Sequence, residues 1–238
     1  MKTIFWASDS TVSNKRIDAF PEMGIGQVFD YYLRGVSDGT EGALESRVFV
    51  ENHALNGRST KSFIADGRLA AMAERMRPGD FMFIQFGHND EKIDNPERYA
   101  NPTGEYPQNL LEFLEVARGR QVTPVILSPI VRRVFDEAGN LGPQTHAAYA
   151  DAARQVAAEQ NVAFIDLFGL SGELLVAVGP EVSKQWFMHL APGEFPNYPD
   201  GLTDNTHLRL PGALAFGGLI AKGLRNFGGS YADLIAKE

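Results

Sequence analysis

Asp80-Phe81-Met82-Phe83-Ile84-Gln85-Phe86 is an apolar run of strand length that ends abruptly in Gly87-His88-Asn89-Asp90. Such a run, closed by turn-forming residues, reads as a strand buried in a sheet. Similar β-rich runs stand at Thr3 to Ala7, Arg47 to Ala54, Val122 to Ile130 and Val162 to Asp166. Between them lie segments of helical periodicity: Ser59 to Arg75, stopped by Pro78-Gly79; Gln108 to Arg120; Gln144 to Gln160; and a last helix from about Leu210. Strands that alternate with covering helices predict an α/β fold built on a five-stranded parallel sheet.

The 238 residues fit one α/β domain, 1–238, and no repeat, low-complexity stretch or linker divides them. Thirty acidic against 22 basic residues leave a formal charge of −8, which argues against a nucleic-acid partner. The absence of cysteine excludes disulfides, thiolate catalysis and cysteine metal sites. The first apolar run reaches Asp9 too soon for a secretory leader, which reads as cytoplasmic, although removal of a leader would leave the same pattern. No run is long enough to span a membrane, so no membrane partner is expected. The chain leaves monomer and homodimer open; the segment Phe227 to Glu238, beyond the last motif, is the candidate for a dimer contact.

Chemistry-bearing residues follow each of the first three strands: Asp9-Ser10-Thr11, Asn56-Gly57-Arg58-Ser59 and Gly87-His88-Asn89-Asp90. Ligands of open parallel sheets bind outside the carboxyl ends of the strands, so these clusters are expected to converge. A hydroxyl nucleophile needs a base, and the base needs an acceptor that fixes its tautomer. Asp204-Asn205-Thr206-His207 offers both, with three-residue spacing across a turn or helix start. An oxyanion needs donors, and the candidates are the Ser10 N–H, the Gly57 N–H, which no Cβ obstructs, and the Asn89 amide.

Asp9-Ser10-Thr11, Gly57, Gly87-His88-Asn89-Asp90 and Asp204-x-x-His207 together resemble, in order and spacing, the four motif blocks of SGNH hydrolases, also called GDSL esterases. Asn56-Gly57-Arg58-Ser59 and the run Tyr198 to His207 are most similar to the rhamnogalacturonan acetylesterase-like carbohydrate esterases. The resemblance spans Ile4 to the final helix. It implies a flavodoxin-like three-layer α/β/α sandwich and no metal or cofactor. It also implies Ser10 as nucleophile, His207 as base supported by Asp204, and Ser10, Gly57 and Asn89 as the oxyanion hole. Ser8 stands where the family usually has Gly before the Asp-Ser; a positive φ there would strain it.

The activity so implied is removal of O-acetyl groups from acetylated plant cell-wall oligosaccharide or polysaccharide, rhamnogalacturonan and pectin fragments first. Alternatives are an SGNH acetylxylan esterase and a lipase or thioesterase acting on short acyl esters. A metallophosphoesterase would need more clustered carboxylate and His ligands than Asp9 and His53 supply. A binding module without turnover would not need the full set of chemical groups. Arg58, Arg132, Arg133 and Arg209 are candidates for meeting uronic acid carboxylates, the alternative being solvated or structural pairing. Trp186, Phe187 and Tyr198 are candidate sugar platforms, with core packing as the alternative. Asp9 is expected to brace its turn and His88 to bond backbone across strand ends. His53 and His189 read as structural, His146 as a helix-surface residue. The segment Arg132 to Pro143 is a candidate hairpin rimming the site.

Overall fold

In a computed structural model that describes residues 1–35 and 47–236, β1 (Lys2–Ser8) organises the molecule. It pairs in parallel with β2 (Val48–Asn52) on one side and β3 (Phe81–Gln85) on the other, and β4 (Thr123–Leu127) and β5 (Ala163–Ile165) continue the sheet. The order β2-β1-β3-β4-β5 is the flavodoxin-like arrangement, which reverses direction between β1 and β3. Ser8 pairs with Gln85, Gln85 with Leu127 and Leu127 with Ile165, so the strands finish in one row and their following loops share an edge.

Period-two alternation divides the core into two layers. Ile4 and Trp6 pack with Phe81, Phe83, Val125 and Leu127 in the cluster completed by Ile25 of α1 (Ile25–Val28), Leu167 of α6 (Leu167–Val178) and Phe216 of α8 (Leu210–Phe227). Phe5 and Ala7 pack with Met82, Ile84 and Ile126 on the opposite face. Its helices are α2 (Thr60–Ala65), α3 (Arg68–Arg75), α4 (Glu105–Gly119) and α5 (Ala147–Glu159). All five residues of β3 are buried, as its continuous apolar run requires.

The expected helix Ser59 to Arg75 is two helices. Gly67, at φ +71°, turns the chain between α2 and α3 in a conformation that L side chains rarely adopt. α6, with no counterpart in the sequence reading, is capped by Asp166, whose side chain accepts the Gly169 N–H. The short α7 (Pro180–Ser183) leads to β6 (Phe187–Leu190), which pairs antiparallel with β7 (Leu202–Leu208). This hairpin takes in both ends of the Pro- and Asn-containing stretch Met188 to Asn205 and leaves residues 191–201 as its connection. Gly201, at φ +74°, precedes β7; a Cβ there would lie 2.6 Å from the Leu190 carbonyl oxygen. Arg132 to Pro143 does form the expected hairpin-like turn, closed by a Phe135–Leu141 bridge and the Asp136 N–H donating to Asn140 O.

After α9 (Gly229–Ala232) the chain folds back on itself, with Ile235 bridging Leu33 and the Ala236 N–H donating to Tyr32 O. Of the segment suggested for a dimer contact, Lys237 and Glu238 lie outside the described residues. Among the described residues no helix is long and apolar enough to cross a membrane.

Candidate active site

The nucleophile turn begins where β1 stops. Asp9 Oδ1 accepts from the Thr11 N–H and the Thr11 hydroxyl, and Asp9 O accepts from Val12 and Ser13 N–H, so Asp9 braces the turn as expected. Ser8 does not have the positive φ that would have strained it; it is the last residue of β1, and its hydroxyl donates to Gln85 O at 2.6 Å. Ser10 stands at the turn with 8% of its surface exposed.

Asp204 and His207 reach Ser10 from β7, not from a helix start. Residues three apart on a regular strand face opposite ways, so the ladder has to break to bring the two side chains together. It does. Phe187 pairs with Leu208 but Met188 pairs with Asp204, leaving Asn205, Thr206 and His207 outside the ladder. Asp204 Oδ1 holds this bulge by accepting the Thr206 and His207 N–H groups at 2.7 and 3.0 Å. Its other oxygen faces His207 Nδ1 at 2.6 Å, and His207 Nε2 lies 2.9 Å from Ser10 Oγ. A carboxylate only accepts, so Nδ1 carries the proton and Nε2 is left to accept from Ser10.

Burial alone would lower the His207 pKa, but the hydrogen bond and charge of Asp204 outweigh it and hold it above the ordinary 6.5. Burial alone would raise Asp204, but His207 dominates and brings it down to about 2.

The second and third clusters arrive beside Ser10, as expected. Leu55 to Arg58 form a turn closed by Arg58 N–H to Leu55 O, with Gly57 at φ +75°. Ser59 then caps α2 through a reciprocal pair with Ser62. The Asn89 amide donates one hydrogen to Arg58 O at 3.0 Å, which fixes its orientation and leaves its second hydrogen free to serve the cavity. Buried Asp90 locks the third cluster to the second by accepting from the Thr60 N–H and hydroxyl. Its second oxygen has no partner, and burial raises its pKa to about 7.

Ser10, Gly57, Asn89 and His207 all line one cavity of about 410 Å³. Its wall also carries Asn56, from the second cluster, and Glu22, Lys92 and Arg98, which sequence reasoning missed; among the described residues no aliphatic side chain lines it. Lys92 and Arg98 lie in the stretch Asp90 to Pro107, whose Pro, Asn and Asp content marks a long loop, whereas no such signal stands at Glu22. Under the floor, the Lys15 ammonium donates to Ser10 O at 2.6 Å and to Asn56 Oδ1 at 2.8 Å, and stands 2.7 Å from the Glu22 carboxylate.

Several expectations fail on side-chain direction. The Arg58 guanidinium turns away from the cavity to Asp66, 2.6 Å away, and only its carbonyl serves the site. Arg132 does line the cavity, but it is committed to Glu91, Thr145 Oγ1 and His146 Nδ1. Tyr198 is not in the cavity wall; its hydroxyl donates to Ala19 O. Arg133 is held by Ser183 and Pro180, Arg209 faces Glu194, and Phe187 is core. His146 is fully buried, not on a helix surface: its Nε2–H donates to Ile130 O and its ring lies tilted against that of His88, centroids 4.5 Å apart. Among the described residues neither ring nitrogen of His88 has a hydrogen-bond partner, backbone included, and Nδ1 is 3.6 Å from Asp9 Oδ2. His53 and His189 are structural, bonded to Glu51 and Asn205. Among the described residues no group of three or more His, Asp or Glu side chains is placed to hold a metal ion.

Residues 31–213 match the model of the GDSL-like lipase/acylhydrolase family. The chain belongs to that family. Rhamnogalacturonan acetylesterase RhgT of Bacillus subtilis is 40% identical over 236 residues, covering 99% of this chain and 95% of that protein. From the same organism, Probable rhamnogalacturonan acetylesterase YesY is 32% identical over 99% of this chain and 98% of its own length. The crystal structure of Bacillus subtilis YxiM superposes with a TM-score of 0.78 at 23% identity, covering 95% of this chain and 57% of that one, a likeness of fold. For this GDSL-family chain, the bulge on β7 explains how an Asp-x-x-His spacing reaches a serine at the far end of the sequence.

Proposed function

We propose that this chain is a carbohydrate acetylesterase that removes O-acetyl groups from rhamnogalacturonan fragments through an acyl-enzyme on Ser10. The observation that carries the reading is the continuous line from Ser10 Oγ through His207 to Asp204, set in a polar cavity. His207 Nε2 takes the Ser10 proton as Oγ attacks the acetyl carbonyl carbon. The carbonyl oxygen becomes an oxyanion held by the Ser10 and Gly57 N–H groups and the Asn89 amide. Collapse expels the sugar oxygen, which takes the proton from His207, and leaves acetyl-Ser10. Water, deprotonated by the same imidazole, then releases acetate. Asp204 stabilises the imidazolium formed in both halves.

The names of RhgT and YesY support the sugar, and the cavity wall supports a small acyl group: a long acyl chain needs a wall of aliphatic side chains, and none lines this cavity among the described residues. The test is acetate release from acetylated rhamnogalacturonan fragments and from acetylated xylo-oligosaccharides, with native protein and Ser10→Ala in parallel. Release by the native protein alone, faster from the rhamnogalacturonan fragments, is the expected result. Equal activity of Ser10→Ala removes the nucleophile assignment, and preference for xylan fragments removes the substrate.

A further inference from the structure

The chain carries a net charge of −8, yet cations predominate in the cavity wall: Lys92, Arg98 and Arg132 face a single carboxylate, Glu22. Glu22 is balanced by Lys15, and Arg132 by Glu91. Lys92 and Arg98 are different. Among the described residues, no carboxylate or hydrogen-bond acceptor meets either side chain. Arg98 is half-buried, and its guanidinium lies over the nearer side of Gly57: a Cβ built there would meet Nη2, Cζ and Nη1 at 3.1, 3.3 and 3.4 Å. A planar cation is therefore held beside a proposed oxyanion donor with its fork uncommitted. Guanidinium groups so placed are suited to two-point recognition of carboxylates, and a partly dry cleft strengthens the pair.

We propose that Arg98, assisted by Lys92, forms a carboxylate subsite that takes the uronate group of the sugar bearing or adjoining the acetyl ester. The inference rests on the carbohydrate acetylesterase reading and adds to it the residues that select an acidic sugar. Because Arg98 packs on Gly57, a carboxylate on its guanidinium sits within one ring of the ester carbonyl. Lys92 is exposed and adds long-range attraction that salt screens.

The test compares native protein, Arg98→Met and Arg98→Lys on acetylated rhamnogalacturonan oligosaccharides and on neutral acetylated xylo-oligosaccharides. One charge-assisted pair sets the scale: the ratio of kcat/KM for acidic over neutral substrate falls roughly ten- to a hundred-fold in Arg98→Met, mainly through KM. Arg98→Lys recovers part of it, and added KCl weakens the native preference more than that of Arg98→Met, which keeps only the attraction of Lys92. Equal losses on both substrates would assign Arg98 to support of the Gly57 turn and overturn the proposal, as would an unchanged ratio. A second arm measures calorimetric binding of unacetylated rhamnogalacturonan oligosaccharide to Ser10→Ala with and without Arg98→Met. Binding that needs Arg98 without acetate release by native protein keeps the subsite and removes the esterase reading. Acetate release with binding indifferent to Arg98 does the reverse.

Discussion

Replacing Lys15 by Met tests the floor beneath the nucleophile. The Lys15 side chain is 2% exposed and that of Glu22 13%, so the pair is nearly dry. Methionine fills the volume of the stem but removes the charge, the hydrogen bonds to Ser10 O and Asn56 Oδ1, and the counter-ion of Glu22. Truncating one partner of a buried ion pair typically costs about 3–5 kcal/mol, because the other charge stays buried and unpaired. In a chain of this size each kcal/mol moves Tm by roughly 2–4 °C, so Lys15→Met should melt roughly 6–20 °C below the native protein. Lys15→Met with Glu22→Gln leaves no orphaned charge and should recover most of that loss. The same variants move the acid limb of kcat/KM. Glu22 raises and Lys15 lowers the His207 pKa, so Lys15→Met shifts the limb to higher pH and Glu22→Gln to lower pH. Thermal denaturation by circular dichroism and a pH–rate series on one acetyl ester read both effects. A Tm within about 2 °C of native for Lys15→Met, the range of an ordinary surface substitution, would show that Lys15 and Glu22 do not act as a buried ion pair.

Asp204→Asn should lower kcat by about 10⁴ with little change in KM, since an amide N–H facing Nδ1 favours the wrong tautomer; steady-state kinetics on an acetyl ester measures it. The same substitution reports on acid stability. The folded pKa of Asp204 is depressed to about 2 from 3.8, so its contribution is present above pH 3.8 and lost as pH falls through 2; denaturant melts in that window should flatten in the variant. Asp90 has the opposite sign. Its pKa is raised to about 7, the folded protein holds a proton that the unfolded chain has released, and stability falls between about pH 4 and 7. Asp90→Asn should remove that slope, as urea melts at several pH values will show.

The parallel sheet was legible because the buried stretches of β1, Ile4 to Ala7, and of β3, Phe81 to Ile84, are apolar runs, and because Asp9-Ser10 closes the one and Gly87-His88-Asn89 the other. The convergence of Ser10, Gly57 and Asn89 followed from strand ends alone. β7 was not legible: its residues Thr203 to His207 are polar and not fully buried, so neither alternation nor an apolar run marks it. The three-residue spacing of Asp204 and His207 suggested a turn or helix start, and only the bulge reconciles it with a strand. α6 reads as almost uniformly apolar, Leu167-Phe168-Gly169-Leu170, which hides a 3.6-residue period. Side-chain direction is the other gap. The sequence reading named Arg58 and passed over Arg98; the local path, with Asp66 in reach of Arg58 and Gly57 beneath Arg98, reverses that choice.

Whether Ser10 carries the acetyl group is read by peptide mass spectrometry of protein acid-quenched during turnover of an acetyl ester. The expected result is an acetylated peptide containing Ser10, absent from Ser10→Ala and, because no base draws off the proton, strongly reduced in His207→Ala. Turnover of the ester with the acetyl group on another residue, or with no Ser10 adduct in the native protein and undiminished rate in Ser10→Ala, would contradict it.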